Sequence, residues 1–423
     1  RKPCRLAGAR WMKPRVSRVL GVGRVLGYWR AERRTIRHGF AALLVATAGN
    51  IVAGLTLGAI APTLGRLPGL LVLLPAAIAM RGSIFGALHS RLGTAIHAGL
   101  FEPTRRRGSV LMQNLVAAGV LTVATSWALG ILAKVVSLVF GIAGASLSDL
   151  LVISVVGGAL SSVVVGTLAS VLAGAAQRRA WDLDSVAPPL VTALGDMVTI
   201  PALFAATYLT GIRYVTVALA IGLTIATAYV TWRGVVTSYA TARRVIRESL
   251  PVLLGTGVLT LVAGLAMEAR IEHFVAFPAL LALVPPLLAD VGDLGALLSS
   301  RLASKLHLGA ISPRAFPEAL AWLDGSIALL FGVWIFALVG IAVDLVAGAL
   351  GLASPGVGTV IGVSMLAGFG ATAVAVLVGY YAAVASFRVG LDPDNHSIPI
   401  ITSTLDFVGI FALTLALAVF GIS

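Results

Sequence analysis

Apolar residues along this chain do not alternate with polar ones; they continue in long runs, stop at short polar stretches and resume. A helix needs about 20 apolar residues to cross roughly 30 Å of hydrocarbon. Continuous runs of that length predict membrane helices and not the alternating strands of a barrel. Spans are predicted near 40–63, 68–88, 110–135, 149–175 and 188–210, then at 214–232, then near 249–267, 275–298, 320–343, 357–384 and 398–420. The fold class is an all-α integral membrane protein with about 11 transmembrane helices.

The pattern occurs twice. At a constant offset of 210 residues, Arg33-Arg34-Thr35-Ile36-Arg37 returns as Arg243-Arg244-Val245-Ile246-Arg247, and Pro75 as Pro285. Ser90-Arg91-Leu92, His97, Gly99 and Pro103 return as Ser300-Arg301-Leu302, His307, Gly309 and Pro313. Asp182, Asp184, Pro189, Thr192 and Asp196 return as Asp392, Asp394, Pro399, Thr402 and Asp406. One register held across so many positions, several of them costly in a membrane, marks a tandem duplication. The predicted organisation is a basic tail (1–38), a first five-helix repeat (39–212), a linking helix (213–233) and a second five-helix repeat (234–423).

The linking helix, Tyr214–Trp232, has no partner in the repeat. Five spans alone would invert the second copy, whereas six return the chain to its starting side. The copies are therefore expected to be parallel, about a pseudo-two-fold axis along the membrane normal. The positive-inside rule agrees: Arg33–Arg37, Arg91 with Arg105–Arg107, Arg178-Arg179, Arg233 with Arg243–Arg247, Arg301 with Lys305, and Arg388 fall on one side. A multi-pass protein of the cell membrane follows, with its N-terminus cytoplasmic and its C-terminus outside.

Composition excludes an ordinary soluble domain: 58% of residues are hydrophobic and 11% charged, against about 25% charged in soluble proteins. The mean hydropathy is +1.00. The net charge of +14 does not point to nucleic acid as a partner, because residues 1–37 hold twelve Lys/Arg against the single acid Glu32. Such a tail suits the cytoplasmic flank of a first span and the surface of anionic lipid. Organellar transit peptides share the composition. Cys4, in the tail, is the only cysteine, so no internal disulfide and no thiolate metal site is expected.

Asp196 and Asp406 are the strongest candidates for chemistry. A carboxylate in hydrocarbon costs several kcal/mol unless it meets a wet cavity or a partner. Each lies seven residues beyond a proline, Pro189 or Pro399, that suits a helix start, and so about 10 Å into its helix. Thr192 and Thr402, four residues earlier, share the face. Parallel copies would bring both faces to the axis, where two carboxylates repel unless a cation lies between them. Mg²⁺, which sheds water reluctantly, suits so few direct ligands. The competing reading pairs each Asp with a basic residue or a neighbouring helix end; in a third, one Asp carries a proton.

In the second helix of each copy, Arg81 is expected to pair with Asp290 across the repeats while the glycines allow close packing. Asp293, matched by Ser83, is a candidate for the pathway. Asp182, Asp184, Asp392 and Asp394 form either a cation-concentrating vestibule or solvated loops that favour the following helix N-terminus. His97 and His307 read as structural, and Arg91 and Arg301 as interface anchors.

The pattern Asp-x-Asp-x4-Pro-x2-Thr-x3-Asp, present twice, resembles the last transmembrane helix of the MgtE magnesium channels and their eukaryotic solute-carrier relatives. The resemblance covers roughly 33–212 and 243–423, and is best from Asp392 through Pro399, Thr402 and Asp406 to Gly409. It implies a central Mg²⁺ held at the axis of two five-helix units, by Asp196 and Asp406 here. A fused duplicate would build that pore from one chain, which permits function as a monomer. Two departures stand out. The 38 residues before the first span leave no room there for the acidic and CBS sensor domains of MgtE, and its Gly-Gly-Asn-x-Gly is replaced by Arg81-Gly82-Ser83 and Val291-Gly292-Asp293.

The expected function is movement of a hydrated divalent cation, most readily Mg²⁺, between the two repeats. Asp196, Asp406, Thr192, Thr402, Asp293 and Ser83 are the metal-site candidates, with the bilayer as the other partner. No catalytic residue and no cofactor is expected; the cation is cargo. The alternatives are a proton- or sodium-coupled exchanger of Mn²⁺, Co²⁺ or Ni²⁺, and a lipid-directed enzyme or flippase. No Gly-x-Ser-x-Gly or His-Glu-x-x-His motif supports an enzyme.

Overall fold

The computed structural model describes residues 22–102, 104, 106, 108–142, 144–179, 183–389 and 398–422, with backbone alone at 22, 34–35, 97, 176, 178–179 and 183–191. Among these, fifteen helices and no strand are found. The first half holds α1 (Val22–Ala31), α2 (Arg33–Ala59), α3 (Ala61–Arg66), α4 (Leu70–His97), α5 (Val110–Val139), α6 (Leu147–Arg179) and α7 (Leu183–Thr207). After α8 (Arg213–Val235) come α9 (Ala240–Glu268), α10 (Ile271–Ala276), α11 (Pro278–Ala282), α12 (Val284–His307), α13 (Ala319–Ala349), α14 (Val357–Val389) and α15 (Ile398–Val419).

The 210-residue offset reappears in the boundaries: α10 repeats α3 and α14 repeats α6, residue for residue at both ends. Among the described residues only α1 and α8 lack a counterpart helix. Ten helices among the described residues are long and apolar enough to span a membrane, and Thr192–Thr207 of α7 is a shorter apolar segment. The eleven expected spans are thus these ten plus α7, itself a helix of 25 residues. Helices overrun the apolar runs because arginine is a good helix former whose stem lies along apolar surface. The clusters Arg33–Arg37 and Arg243–Arg247 therefore lie within α2 and α9 rather than before them.

Burial sorts the helices by position. The most apolar window of α4 is 89% buried and that of α11–α12 78%, whereas that of α8 is only 17% buried. The bundle is centred on α4 and α12, with α8 at its rim. Large apolar side chains such as Val163, Ile225, Trp334 and Leu415 are exposed; on membrane helices these face hydrocarbon, where exposure carries no penalty.

The repeats exchange their first helices. α2 packs on α7 of its own half and on α11, α12 and α13 of the other; α9 packs on α15 of its own half and on α4 and α5 of the other. Both crossings depend on a missing Cβ: one at Gly54 would run into the Ala282 carbonyl, and one at the equivalent Gly264 into the Val72 carbonyl. Glu268 strengthens one crossing, accepting the Gly69 N–H at 2.8 Å at the N-terminus of α4, where a carboxylate complements the helix dipole.

α1 is fastened to the second repeat. Asp324, fully buried on α13, accepts from Tyr28 Oη at 2.6 Å, Arg301 Nη2 at 2.9 Å and Lys305 Nζ at 2.5 Å. Trp29 Nε1 donates to Ser326 Oγ at 3.0 Å. Burial and the Asp324 carboxylate push the Tyr28 phenol above its ordinary value, so it stays a donor. Arg301 is therefore not a mere interface anchor. Nor is Arg91, whose Nε donates to Asn114 Oδ1 at 2.8 Å at the position equivalent to the Arg301–Asp324 pair.

Candidate functional site

The two most buried helices bring the predicted residues together. α4 packs on α7 and α12 on α15, while α4 also meets α15 and α12 meets α7, closing a four-helix contact across the repeats. Glycines permit the approach: a Cβ at Gly82 would lie 3.3 Å from Thr192 Cγ2, and one at Gly292 3.8 Å from Thr402 Cγ2. Ser83 Oγ lies 3.3 Å from Thr402 Oγ1, joining the first copy to the second.

Asp196 and Asp406 are both buried. Asp196 interacts electrostatically with Asp406, Asp293 and Asp290, and Asp406 with Asp293. All four carboxylates thus share one region of the bundle. Their satisfaction differs. Asp290 accepts from Thr47 Oγ1 at 3.0 Å and from Asn50 Nδ2 at 2.9 Å, both on α2. In contrast, Asp196 Oδ1 and Asp293 Oδ2 are buried with no hydrogen-bond partner. Unpaired buried carboxylate oxygens are rare because each forfeits its hydration, and like charges this close repel unless a cation intervenes. Among the described residues, no group of three or more His, Cys, Asp or Glu side chains could hold a metal ion directly.

Two expectations are corrected. Arg81 does not pair with Asp290: its guanidinium turns to Ser126 on α5 and Ser162 on α6, each at 2.8 Å, while α2 satisfies the Asp. Pro189 does not begin its helix, because α7 starts at Leu183 and carries Pro188 and Pro189 within it. Two residues without an N–H leave carbonyls of the turn before them without intrahelical partners. In the second copy the described part of the helix opens at Ile398, beside its proline. His307 is exposed and bonds the Ala303 carbonyl at 2.8 Å, a local contact that fits a structural role. Of the loop acids, Asp182, Asp392 and Asp394 lie outside the described residues, as does the side chain of Asp184.

Thr47 and Asn50 were not singled out from the sequence. Their signal is there, two polar residues three apart on one face of an apolar helix, but only the helix exchange shows which carboxylate they serve.

A family model described as MgtE, divalent cation transporter, matches residues 74–206 and 284–416. The two segments stand 210 residues apart at both ends and together cover more than half of the chain. The chain belongs to the MgtE family. This MgtE-family chain is also similar to solute carrier family 41 member 3 of Rattus norvegicus, 24% identical over 279 residues that cover 63% of this chain and 59% of the rat protein. The same carrier of Mus musculus is 23% identical over 382 residues, covering 84% of this chain and 76% of the mouse protein. The chain thus spans about three-fifths of the rat relative it matches. No solved structure matches it. Each family match holds the second through last long helices of its repeat, and so all six predicted site residues.

Proposed function

We propose that this protein moves hydrated Mg²⁺ across a membrane, along a pathway between its two repeats that passes Asp196 and Asp406. The observation that carries the reading is the meeting of Asp196, Asp406 and Asp293 in one buried region, with Asp196 Oδ1 and Asp293 Oδ2 lacking any protein partner. Carboxylates left unpaired in a packed bundle suit a cation that comes and goes. Thr192, Thr402 and Ser83 supply neutral oxygens beside them, which suit the water shell of an ion that keeps most of its waters. MgtE membership supports a divalent cation as cargo.

Each repeat contributes one Asp-bearing helix, so one chain supplies both halves of the pathway and needs no second copy. The parallel arrangement, with the N-terminus cytoplasmic and the C-terminus outside, rests on the odd number of spans and the distribution of arginines. The four proposed segments are the tail 1–38, the repeats 39–212 and 234–423, and the linking helix 213–233.

The test is divalent flux into proteoliposomes, with Mg²⁺ and Mn²⁺ tried separately, comparing wild type with the Asp196→Asn, Asp406→Asn double variant. Flux lost in a double variant that still elutes as a folded species supports the pathway. Equal flux in both proteins removes these two aspartates from it.

A further inference from the structure

Arg81 lies in the middle of α4, 1% exposed, in the most buried helix of the bundle. Arginine keeps its proton in proteins, so a full positive charge sits inside the membrane. Among the described residues no carboxylate answers it. Nη1 donates to Ser162 Oγ and Nη2 to Ser126 Oγ, both at 2.8 Å, and Nε has no partner. The surroundings hold further donors: Ser162 Oγ donates to Thr122 Oγ1 at 2.8 Å. The hydroxyl protons of Thr122 and Ser126 are then left to donate elsewhere. The cluster is thus rich in donors and short of acceptors, the composition of an anion site and the opposite of the carboxylate region that we propose for the cation.

The fold does not require this charge, because the second repeat builds the same junction without it. At the equivalent positions stand Val291, Phe336, Gly332 and Thr372 in place of Arg81, Ser126, Thr122 and Ser162. The backbone frame is kept: Ser154 Oγ donates to the Ser126 carbonyl at 2.6 Å, and its counterpart Ser364 to the Phe336 carbonyl at 2.7 Å. Glycine is kept as well. A Cβ at Gly158 would clash with Ser126 Oγ and Arg81 Nη2, and one at the matching Gly368 with the Phe336 ring. Thr372 turns its hydroxyl back to the Gly368 carbonyl at 2.7 Å. One copy therefore fills the junction with apolar volume, while the other holds a cation there against the cost of its desolvation.

We propose that Arg81, with the hydroxyls of Ser126, Thr122 and Ser162, binds a small monovalent anion of the halide class within the first repeat. The anion supplies the missing counter-charge and ties α4, the helix that also carries Ser83, to α5 and α6. This site is separate from the Asp pathway and does not depend on it.

The test is the melting temperature of the purified full-length chain in Mg²⁺-free buffer, titrated with sodium chloride or sodium bromide against sodium gluconate at fixed ionic strength. A saturable rise in halide alone is expected. In the Ser126→Ala variant the half-saturating halide concentration should rise about tenfold, the loss of one hydrogen bond to a charge. The Arg81→Val, Ser126→Phe double variant, which copies the junction of the second repeat, should melt independently of halide. If that variant fails to fold, Ser126→Ala and Thr122→Val titrations still decide the matter. Identical melting of wild type in chloride and gluconate would overturn the site. So would a halide response that Ser126→Ala and Thr122→Val leave unchanged, since the anion would then lie elsewhere.

Discussion

Asp290 and Asp293 stand three residues apart on α12 and have opposite fates, decided by what faces them. Thr47 and Asn50 satisfy Asp290, so its role is to hold α2 against α12. Removing both donors, by Thr47→Val with Asn50→Leu, leaves a buried carboxylate with no partner. It should lower stability by about 1–3 kcal/mol, read as a lower melting temperature by fluorescence-detected size exclusion, with the Asp290→Asn change restoring part of the loss. Asp293 has no such support, and its counterpart in the first copy is Ser83. Asp293→Ser makes the two copies alike at that position and removes one negative charge from the region around Asp196 and Asp406. The divalent concentration at half-maximal flux should then rise on the order of tenfold, with folded yield unchanged. An unaltered concentration dependence would take Asp293 off the pathway. Asp196 and Asp406 stand out in the sequence because the repeat doubles a motif costly in hydrocarbon, and both are buried in the structure. The partners of Arg81 and Asp290 were not legible there: both pairings depend on which helices touch, and a polar residue in an apolar run does not declare its neighbour.

The element-level fact with the widest consequence is the exchange of α2 and α9 between the halves. Each crossing is a glycine seated on a backbone carbonyl, Gly54 on Ala282 and Gly264 on Val72. Backbone cannot rotate out of the way as a side chain can. Gly54→Leu or Gly264→Leu must therefore push the first helix off its partner, and overpacking of this kind costs about 1–3 kcal/mol or more. Both variants should show reduced folded yield. Gly119→Leu, a glycine whose added Cβ would meet nothing within 4 Å, should match wild type. α1 makes a second element-level case. Asp324 answers Arg301 and Lys305 with both oxygens, so Asp324→Ala leaves partly buried Lys305 without a carboxylate and Arg301 with only the 3.3 Å contact to Glu32. Breaking such a pair from one side costs about 3–5 kcal/mol. The expected readout is a large drop in melting temperature together with proteolytic release of α1, whereas Tyr28→Phe, which removes the bond to Asp324 and the one from Lys305, should cost about 1–3 kcal/mol. Apolar run length predicted where these helices lie. It could not predict that the arginine clusters lie within them, nor that the halves interlock through their first helices.

At the scale of the whole molecule, the duplication, the all-helical class and the unpaired rim helix α8 were all readable from the 210-residue register, because a gapless repeat carries its spacing into every boundary. Which way the halves face is an expectation from parity alone: five helices, one linker, five helices. The prediction that follows is about sidedness, and the chain is suited to test it because Cys4 is its only cysteine. In a Cys4→Ser background, single changes Ser146→Cys and Ala353→Cys place a thiol in the α5–α6 loop of one copy and the α13–α14 loop of the other. Ser238→Cys and Ser312→Cys place one before α9 and one before α13. Parallel copies require Ser146→Cys and Ala353→Cys to react with an impermeant maleimide added outside intact cells, and Ser238→Cys and Ser312→Cys to react only after the membrane is opened. If the copies were inverted, Ser146→Cys and Ala353→Cys would label from opposite sides. The distinction reaches the proposed mechanism, because parallel copies set Asp196 and Asp406 at one depth, where a single cation can meet both. Inverted copies would set those carboxylates at matching depth only if each lay at the bilayer midplane. Asp406 lies 13 residues before Val419, where α15 ends, and so about 20 Å from that end. That is beyond the middle of a core of about 30 Å, so inversion would separate the pair that the cation site needs together.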